Sequence, residues 1–282
     1  MTTLNAKKGA MLRVLSLGAG VQSTTMALMA AHGEFEHMPD CAIFADTQSE
    51  PKAVYDHLNW LMSDNVLPFP VHIVTRGNLG EQVLANVAGK QITGKRDTIP
   101  AFTTGRDGGA APLARHCTND FKITPIEKKV RELVGIPKGH RHKGLPIVEQ
   151  WIGISTDEAA RMKPNPKRWA ENRWPLIEKR MSRNDCLRWV ERNGYPAPPK
   201  SACTFCPYHN NAMWRHMKDN DPVSWREAVD FDAGIRPGFQ GGNNEVFLHR
   251  SLKPLSEVDL TTVEDEGQIN MFNEECEGMC GV

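Results

Sequence analysis

The stretch LRVLSLGAGVQSTTMALMAAHG (residues 12–33) decides how the fold is read. LRVLSL (12–17) is a short apolar run bounded by glycines, with the length and make-up of a buried strand. QSTTMALMAAHG is a good helix sequence that stops at a glycine. The turn between them suits an anion. Gly18 and Gly20 let the backbone turn tightly and present N–H groups, the helix start adds the positive end of its dipole, and Ser23, Thr24 and Thr25 carry hydroxyl donors. Taken alone, the same residues also read as a plain glycine turn.

The pattern repeats downstream. CAIFA (41–45), VHIV (71–74) and EQWIGI (149–154) read as further strands. Val54, Leu58, Leu61 and Met62 share one helix face, as do Ile126, Val130 and Leu133 in 122–133, and Cys186, Leu187 and Val190 in 183–192. This alternation predicts an α/β fold: a twisted, mostly parallel sheet with helices on both faces. Residues 88–112 read as one long loop, HRHKG (140–144) as a basic turn, and everything from Pro196 as loop-rich. The expected division is a nucleotide-binding domain over 1–195 and a cysteine-containing C-terminal region over 196–282 packed on it, with a mobile tail from about 265.

The 282 residues suffice for a good core. Lys+Arg and Asp+Glu both number 34, so bulk charge gives no reason to expect non-specific nucleic-acid binding. No apolar run approaches the roughly 18–20 residues of a membrane span, and the N-terminus lacks the apolar core of a secretory leader. A soluble, cytoplasmic protein is expected. The first loop is not a dinucleotide fingerprint, since Ser23 stands where a third glycine is needed, and it lacks the Gly-Lys-Ser/Thr of a Walker A loop.

Three more segments fall at predicted strand ends or helix starts. In FADTQSEP (44–51), Asp46 can accept from a ribose hydroxyl or an adenine amino group, or it can simply cap a helix. In ISTDEAAR (154–161), Thr156 or Asp157 would cap a helix, Glu158 would favour its first turn, and Arg161 could grip a phosphate or sulfate as a fork. In RHCTNDFKITP (115–125), Lys122 can reach a phosphate or lie solvated on its helix.

GAGVQS (18–23) resembles the PP-loop pattern SGGxDS, with Gln22 at the aspartate of the ATP-cleaving members. FADTQSEP resembles the DTG…ET stretch that follows, with Asp46, Thr47 and Glu50 in place. ISTDEAAR resembles G-[IV]-R-x-D-E-S-x-x-R, with Thr156 where a basic residue is usual, and RHCTNDFKITP resembles the segment before a Lys-x-x-Pro helix. Over residues 12–210 the chain therefore resembles the phosphoadenylyl-sulfate (PAPS) reductase family of the PP-loop superfamily. The glutamine at 22 favours that branch. The resemblance implies a HUP-like fold and an adenine nucleotide, ATP or PAPS/APS, held by Ser16, Gly18, Gly20, Gln22, Ser23, Thr24, Asp46, Thr47, Lys122, Asp157 and Glu158. It gives Arg161 a role on the phosphosulfate.

Seven cysteines, an odd number, point to metal or redox chemistry rather than structural disulfides in a reducing compartment. Cys203 and Cys206 form a CxxC followed by proline, which can share a metal or cluster or act as a redox dithiol. With Cys117 they make three candidate ligands. The resemblance favours a [4Fe–4S] cluster, although cluster-bearing reductases have two adjacent cysteines where this chain has His116-Cys117. Zinc would need a fourth group, from His209, His116 or a tail cysteine. Cys41 and Cys186 read as core. The tail NEECEGMCGV (273–282) carries Cys276 and Cys280. Glu275-Cys276-Glu277-Gly278 resembles the family's Glu-Cys-Gly-Leu-His nucleophile tail, with an insertion and without the histidine. Acidic neighbours would raise the Cys276 pKa, and the two cysteines could instead pair or ligate.

Three functions follow as expectations. The first is a reductase of adenylyl sulfate, using a tail thiol and a thioredoxin-like reductant. The second is an iron–sulfur thiotransferase that adenylates and thiolates a nucleobase, with residues 140–143, Lys167, Arg168 and Arg173 contacting nucleic acid. The third is a nucleotide-binding protein without catalysis.

Overall fold

A parallel sheet covered on both faces needs nearly continuous apolar strands at its centre, and CAIFA (41–45) is one. The computed structural model describes residues 11–90, 99–140, 142–239, 244–262 and 265. Along the chain run β1 (Leu12–Leu17), α1 (Val21–Ala31), β2 (Cys41–Asp46), α2 (Lys52–Leu61), β3 (Val71–Thr75), α3 (Leu79–Val87), β4 (Phe102–Thr104) and β5 (Ala110–Pro112). A π-helical turn, Thr118–Ile123, leads into α4 (Thr124–Leu133). After it come β6 (Val148–Trp151), a 3₁₀ turn (Thr156–Arg161), β7 (Ala170–Arg173), α5 (Pro175–Glu178) and α6 (Arg183–Arg192). The last elements are α7 (Asn211–Asn220), α8 (Pro222–Ile235), β8 (Val246–Phe247) and a 3₁₀ turn, Leu255–Glu257.

The chain divides into two compact units. Unit one takes the residues up to Asp46, Lys52–Thr75 and Ile123–Ser201. Its sheet has the order β3-β2-β1-β6-β7, and every pairing is parallel. Leu15, Leu17, Ala42 and Phe44 turn to one face, where they pack with Met26, Leu58, Leu176 and Trp189 from α1, α2, α5 and α6. Leu12, Val14, Cys41 and Ile43 turn to the other face and meet Val130 of α4. The two-residue period of the strands thus puts helices on both faces, the α/β architecture read from the sequence.

Unit two takes Thr47–Pro51, Arg76–Lys122 and the chain from Ala202 onward. It holds an antiparallel sheet of order β5-β4-β8. Its core joins Leu79 and Val83 of α3 to Phe205, Trp214, Phe231 and Ile235. Phe205 and Phe231 stack with ring centroids 3.8 Å apart. Asp232, only 2% exposed, accepts from the backbone N–H groups of Leu248 (2.7 Å) and Leu255 (3.0 Å) and pairs with Arg236. One buried carboxylate thereby pins the strand and the turn that follow α8.

Several expectations are corrected. The two units interleave along the chain instead of meeting at a single cut between 195 and 196, because Thr47–Pro51 and Arg76–Lys122 pack with the C-terminal part. Residues 88–112 are not one long loop: among the described residues, β4 and β5 form a hairpin closed by Gly105 N–H to Gly109 C=O at 2.7 Å. The part after Pro196 is loop-rich as expected among the described residues, but it also carries α7 and α8. Residues 156–161 form a 3₁₀ turn with Ser155 at its N-cap, and no side chain caps it. Met62 is exposed, and His57 takes its place on the buried face of α2. No helix among the described residues is long and apolar enough to cross a membrane.

Candidate nucleotide site and cysteine cluster

In unit one the loop between β1 and α1 turns through a left-handed residue. Ala19 has a positive φ of 55°, in the left-handed region, and is fully buried. A non-glycine residue there costs energy and is held by its surroundings, a condition that collects at binding sites. The Gly18 N–H donates to Ser23 Oγ at 3.1 Å, and Ser23 Oγ in turn donates to the Gly20 carbonyl at 3.3 Å. Gly20 is the N-cap of α1 and offers no side-chain cap, so the first N–H groups of the helix have no partner of that kind. A side chain at 20 would collide with Ser201, whose Cβ would lie 3.3 Å from the added carbon. Gly153, past the end of β6, is also required to be small. A Cβ there would stand 3.0 Å from the Ser23 nitrogen and 3.3 Å from the Gln22 carbonyl carbon.

Of the residues expected to hold the nucleotide, some line this loop and some are spent elsewhere. Ser16 Oγ accepts from Gln150 Nε2 at 3.0 Å. Thr24 is fully buried, and its hydroxyl meets His57 Nε2 at 3.1 Å, so it faces the core of unit one. Burial lowers the His57 pKa to about 4, so the ring is neutral near pH 7. Asp46 sits at the carboxyl end of β2 and accepts from Tyr55 Oη at 2.9 Å. Asp157 does not cap its own turn; its carboxylate accepts the backbone N–H of Arg183 at 3.1 and 3.3 Å. Arg161 pairs with Glu158 at 2.5 Å.

Gln22 is the hub. Its Nε2 donates to Glu158 Oε2 at 3.3 Å and Ser155 Oγ at 3.4 Å, and its Oε1 accepts from Arg183 Nη1 at 3.5 Å. Arg183 was not singled out in the sequence. Its local trace was a cation on the first position of a helix whose N-cap, Ser182, forms a capping box with Asp185.

The remaining candidates belong to unit two. Thr47 Oγ1 lies 3.4 Å from Cys203 Sγ, and Cys203 Sγ lies 3.9 Å from Glu50 Oε1. Lys122, expected on a phosphate, pairs instead with Glu50 at 3.1 Å; the Glu50 side chain is buried, while the lysine side chain stays partly exposed. Burial first, then Glu50 and Cys117, push the Cys203 thiol up to about 12, while Lys122 and Thr47 pull against them. Cys203 and Cys206 share a tight turn, with Cys206 N–H on the Cys203 carbonyl at 2.9 Å. His209 packs edge-on against Trp214 at 4.6 Å. Among the described residues no three His, Cys, Asp or Glu side chains gather as a single metal ion requires. Cys117, Cys203 and Cys206 are all among the described residues, and they form no such group; Cys203 and Cys206 share one turn, and Cys117 is half-buried in the same unit. Cys41 and Cys186 are buried, and burial pushes both thiols up to about 12, as inert core cysteines require. Cys276 and Cys280 lie outside the described residues.

No family model matches the chain, and no curated protein does. Among solved structures, the chain is similar to a phosphoadenylyl-sulfate (PAPS) reductase from Candida auris in a phosphate complex, with 13% identity, 68% of this chain and 78% of that chain covered, and a TM-score of 0.43.

Proposed function

We propose that the chain is an adenine-nucleotide-dependent enzyme of sulfur chemistry, a reductase that binds adenylyl sulfate at the loop of residues 18–23 and reduces its sulfuryl group with a cysteine thiol. One observation carries this reading: the buried left-handed Ala19 before α1, with a neutral amide at Gln22. A strand, a concave turn and a helix start present N–H groups to a phosphate. A glutamine already engaged with Glu158 supplies no carboxylate at position 22 for a nucleotide-bound divalent cation, which disfavours ATP cleavage.

The chemistry is a transfer of the sulfuryl group to sulfur. The Cys276 thiolate attacks the sulfur of adenylyl sulfate, the S–O bond to the nucleotide phosphate breaks, and the nucleotide leaves with that electron pair. A dithiol donor, thioredoxin-like, then attacks the cysteine sulfur of the thiosulfonate. Sulfite departs, a mixed disulfide forms, and the donor's second thiol resolves it, leaving the donor oxidised. Arg161, turning from Glu158, would take sulfuryl or phosphate oxygens as a fork. Cys117, Cys203 and Cys206 would hold a [4Fe–4S] cluster, which when bound supplies electrostatic stabilisation of an oxyanion.

The test is turnover of adenosine 5′-phosphosulfate and its 3′-phosphorylated form with a dithiol reductant. Sulfite and nucleotide should appear in equal amounts. Pyrophosphate release from ATP that depends on added nucleic acid, without sulfite, would overturn the reading in favour of a thiotransferase. Nucleotide binding without either turnover would leave a non-catalytic binder.

A further inference from the structure

Arg183 has no task in the mechanism above, yet the geometry around it is specific. A guanidinium only donates and a carboxylate only accepts. With Arg183 on one side and Glu158 on the other, the Gln22 amide has one consistent orientation: oxygen to Arg183, NH₂ to Glu158 and Ser155. The three contacts are long, at 3.3 to 3.5 Å, as site contacts often are before a ligand tightens them.

Arg183 also opposes local electrostatics. It is the first residue of α6, where the helix dipole disfavours a cation. Its guanidinium reaches across the sequence to Gln22, the second residue of α1. Gln22 directly precedes Ser23, whose hydroxyl ties the loop at Gly18 and Gly20. An amide engaged from both sides therefore ties the first turn of α1 to residues 155–158 and to Arg183.

We infer that Arg183 is a positioning residue of the nucleotide site, acting through Gln22 to hold the N–H groups of the loop and the first turn of α1 in the arrangement that receives a phosphate. The inference rests on the loop reading of the proposed function. It adds that three separated segments, around 22, 155–158 and 183, set the geometry of that loop through one neutral amide.

The experiment is calorimetric titration of the full chain with ADP and with adenosine 5′-phosphosulfate, for wild type, Arg183→Gln, Arg183→Lys, Gln22→Ala and the double variant Arg183→Gln/Gln22→Ala. Each of Arg183→Gln and Gln22→Ala should weaken binding of both ligands about tenfold, as loss of one hydrogen bond to a charged group does. The double variant should be no weaker than the weaker single, because both remove the same lock. Arg183→Lys should recover part of the affinity, and the unfolding midpoint of Arg183→Gln should stay within a few degrees of wild type. Should Arg183→Gln fail to fold, Arg183→Lys and the Gln22 cycle carry the comparison. Additive losses in the double variant would overturn the inference by showing that Arg183 acts without Gln22, as would unchanged affinity in Arg183→Gln. A wild type that binds neither ligand would overturn the loop reading itself, and this inference with it.

Discussion

His57 Nε2 and the Thr24 hydroxyl meet at 3.1 Å inside unit one, joining α2 to the helix that follows the glycine turn at 18–20. Burial lowers the His57 pKa from 6.5 to about 4. A histidine whose folded pKa lies below its unfolded one contributes fully above about 6.5, and that contribution is lost as pH falls toward about 4, because the unfolded chain takes the proton first. His249 behaves alike, lowered to about 4 by burial and then by Arg250, and its ring is held between Asn211 and Ser251. The thermal midpoint should therefore fall between pH 6.5 and 4. In His57→Gln, which keeps a partner for Thr24, the fall should be shallower. Parallel pH curves for variant and wild type would refute this.

Gly153→Ala tests the close approach of the chain past β6 to α1. The added methyl would press on backbone atoms of Gln22 and Ser23, which cannot swing aside as a side chain can. A loss of about 1–3 kcal/mol in stability is expected, read from denaturant midpoints at constant slope. Nucleotide affinity should fall with it. A stability change below about 0.5 kcal/mol, the range of surface substitutions, would mean that the contact yields freely.

Asp232→Ala removes the carboxylate that gathers two amides and Arg236 in unit two. Removing one partner of a buried pair strands the other, so a loss of about 3–5 kcal/mol is expected. Asp232→Asn, which retains an acceptor oxygen, should lose less. Equal losses in the two variants would show that charge, not hydrogen bonding, is what the site needs.

The cysteines allow the proposed cluster and the proposed tail thiol to be tested separately. Anaerobically prepared protein should be brown and contain iron, and Cys117→Ser, Cys203→Ser and Cys206→Ser should each lower the iron content and the colour. Cys276→Ser should keep iron and colour but abolish sulfite release. Colourless, iron-free wild-type protein counts against the cluster, and retained sulfite release in Cys276→Ser counts against the tail thiol.

The α/β core was legible because its signals are local. A six-residue strand with four apolar residues, a glycine turn and a helix lie side by side in 12–33, and the buried faces alternate as a sheet requires. Helices α7 and α8 were not: α7 buries only Trp214 and Met217, too few to show a period, and the inward face of α8 includes polar groups. Ser224 and Asp232 are buried in α8, and Asp232 is satisfied by amides that come near it only in the folded chain. The hairpin of β4 and β5 escaped notice because each strand spans three residues, too few to show a period. At the candidate site, Gln22 and Glu158 stood out in sequence as parts of motifs. Arg183 did not, since it lies 161 positions from the amide it meets. Thr24 looked like a ligand donor, but a sequence cannot show which way a helix rolls, and the hydroxyl turned out to serve His57.

The sheet order has a consequence for how the chain is made. β1 is synthesised early yet lies at the centre, between β2 and β6. As the chain leaves the ribosome, β2 can cover one side of β1 at once. The other side keeps its amides and carbonyls unpaired until Val148–Trp151 has emerged. During that interval the nascent chain carries an apolar, unprotected strand edge, the kind of surface that chaperones bind and that pairs wrongly between copies. Unit two waits longer still, because its segments 47–51 and 76–122 close only on residues after Ala202. Unit one can become whole once the chain up to Ser201 has emerged, and unit two only after that.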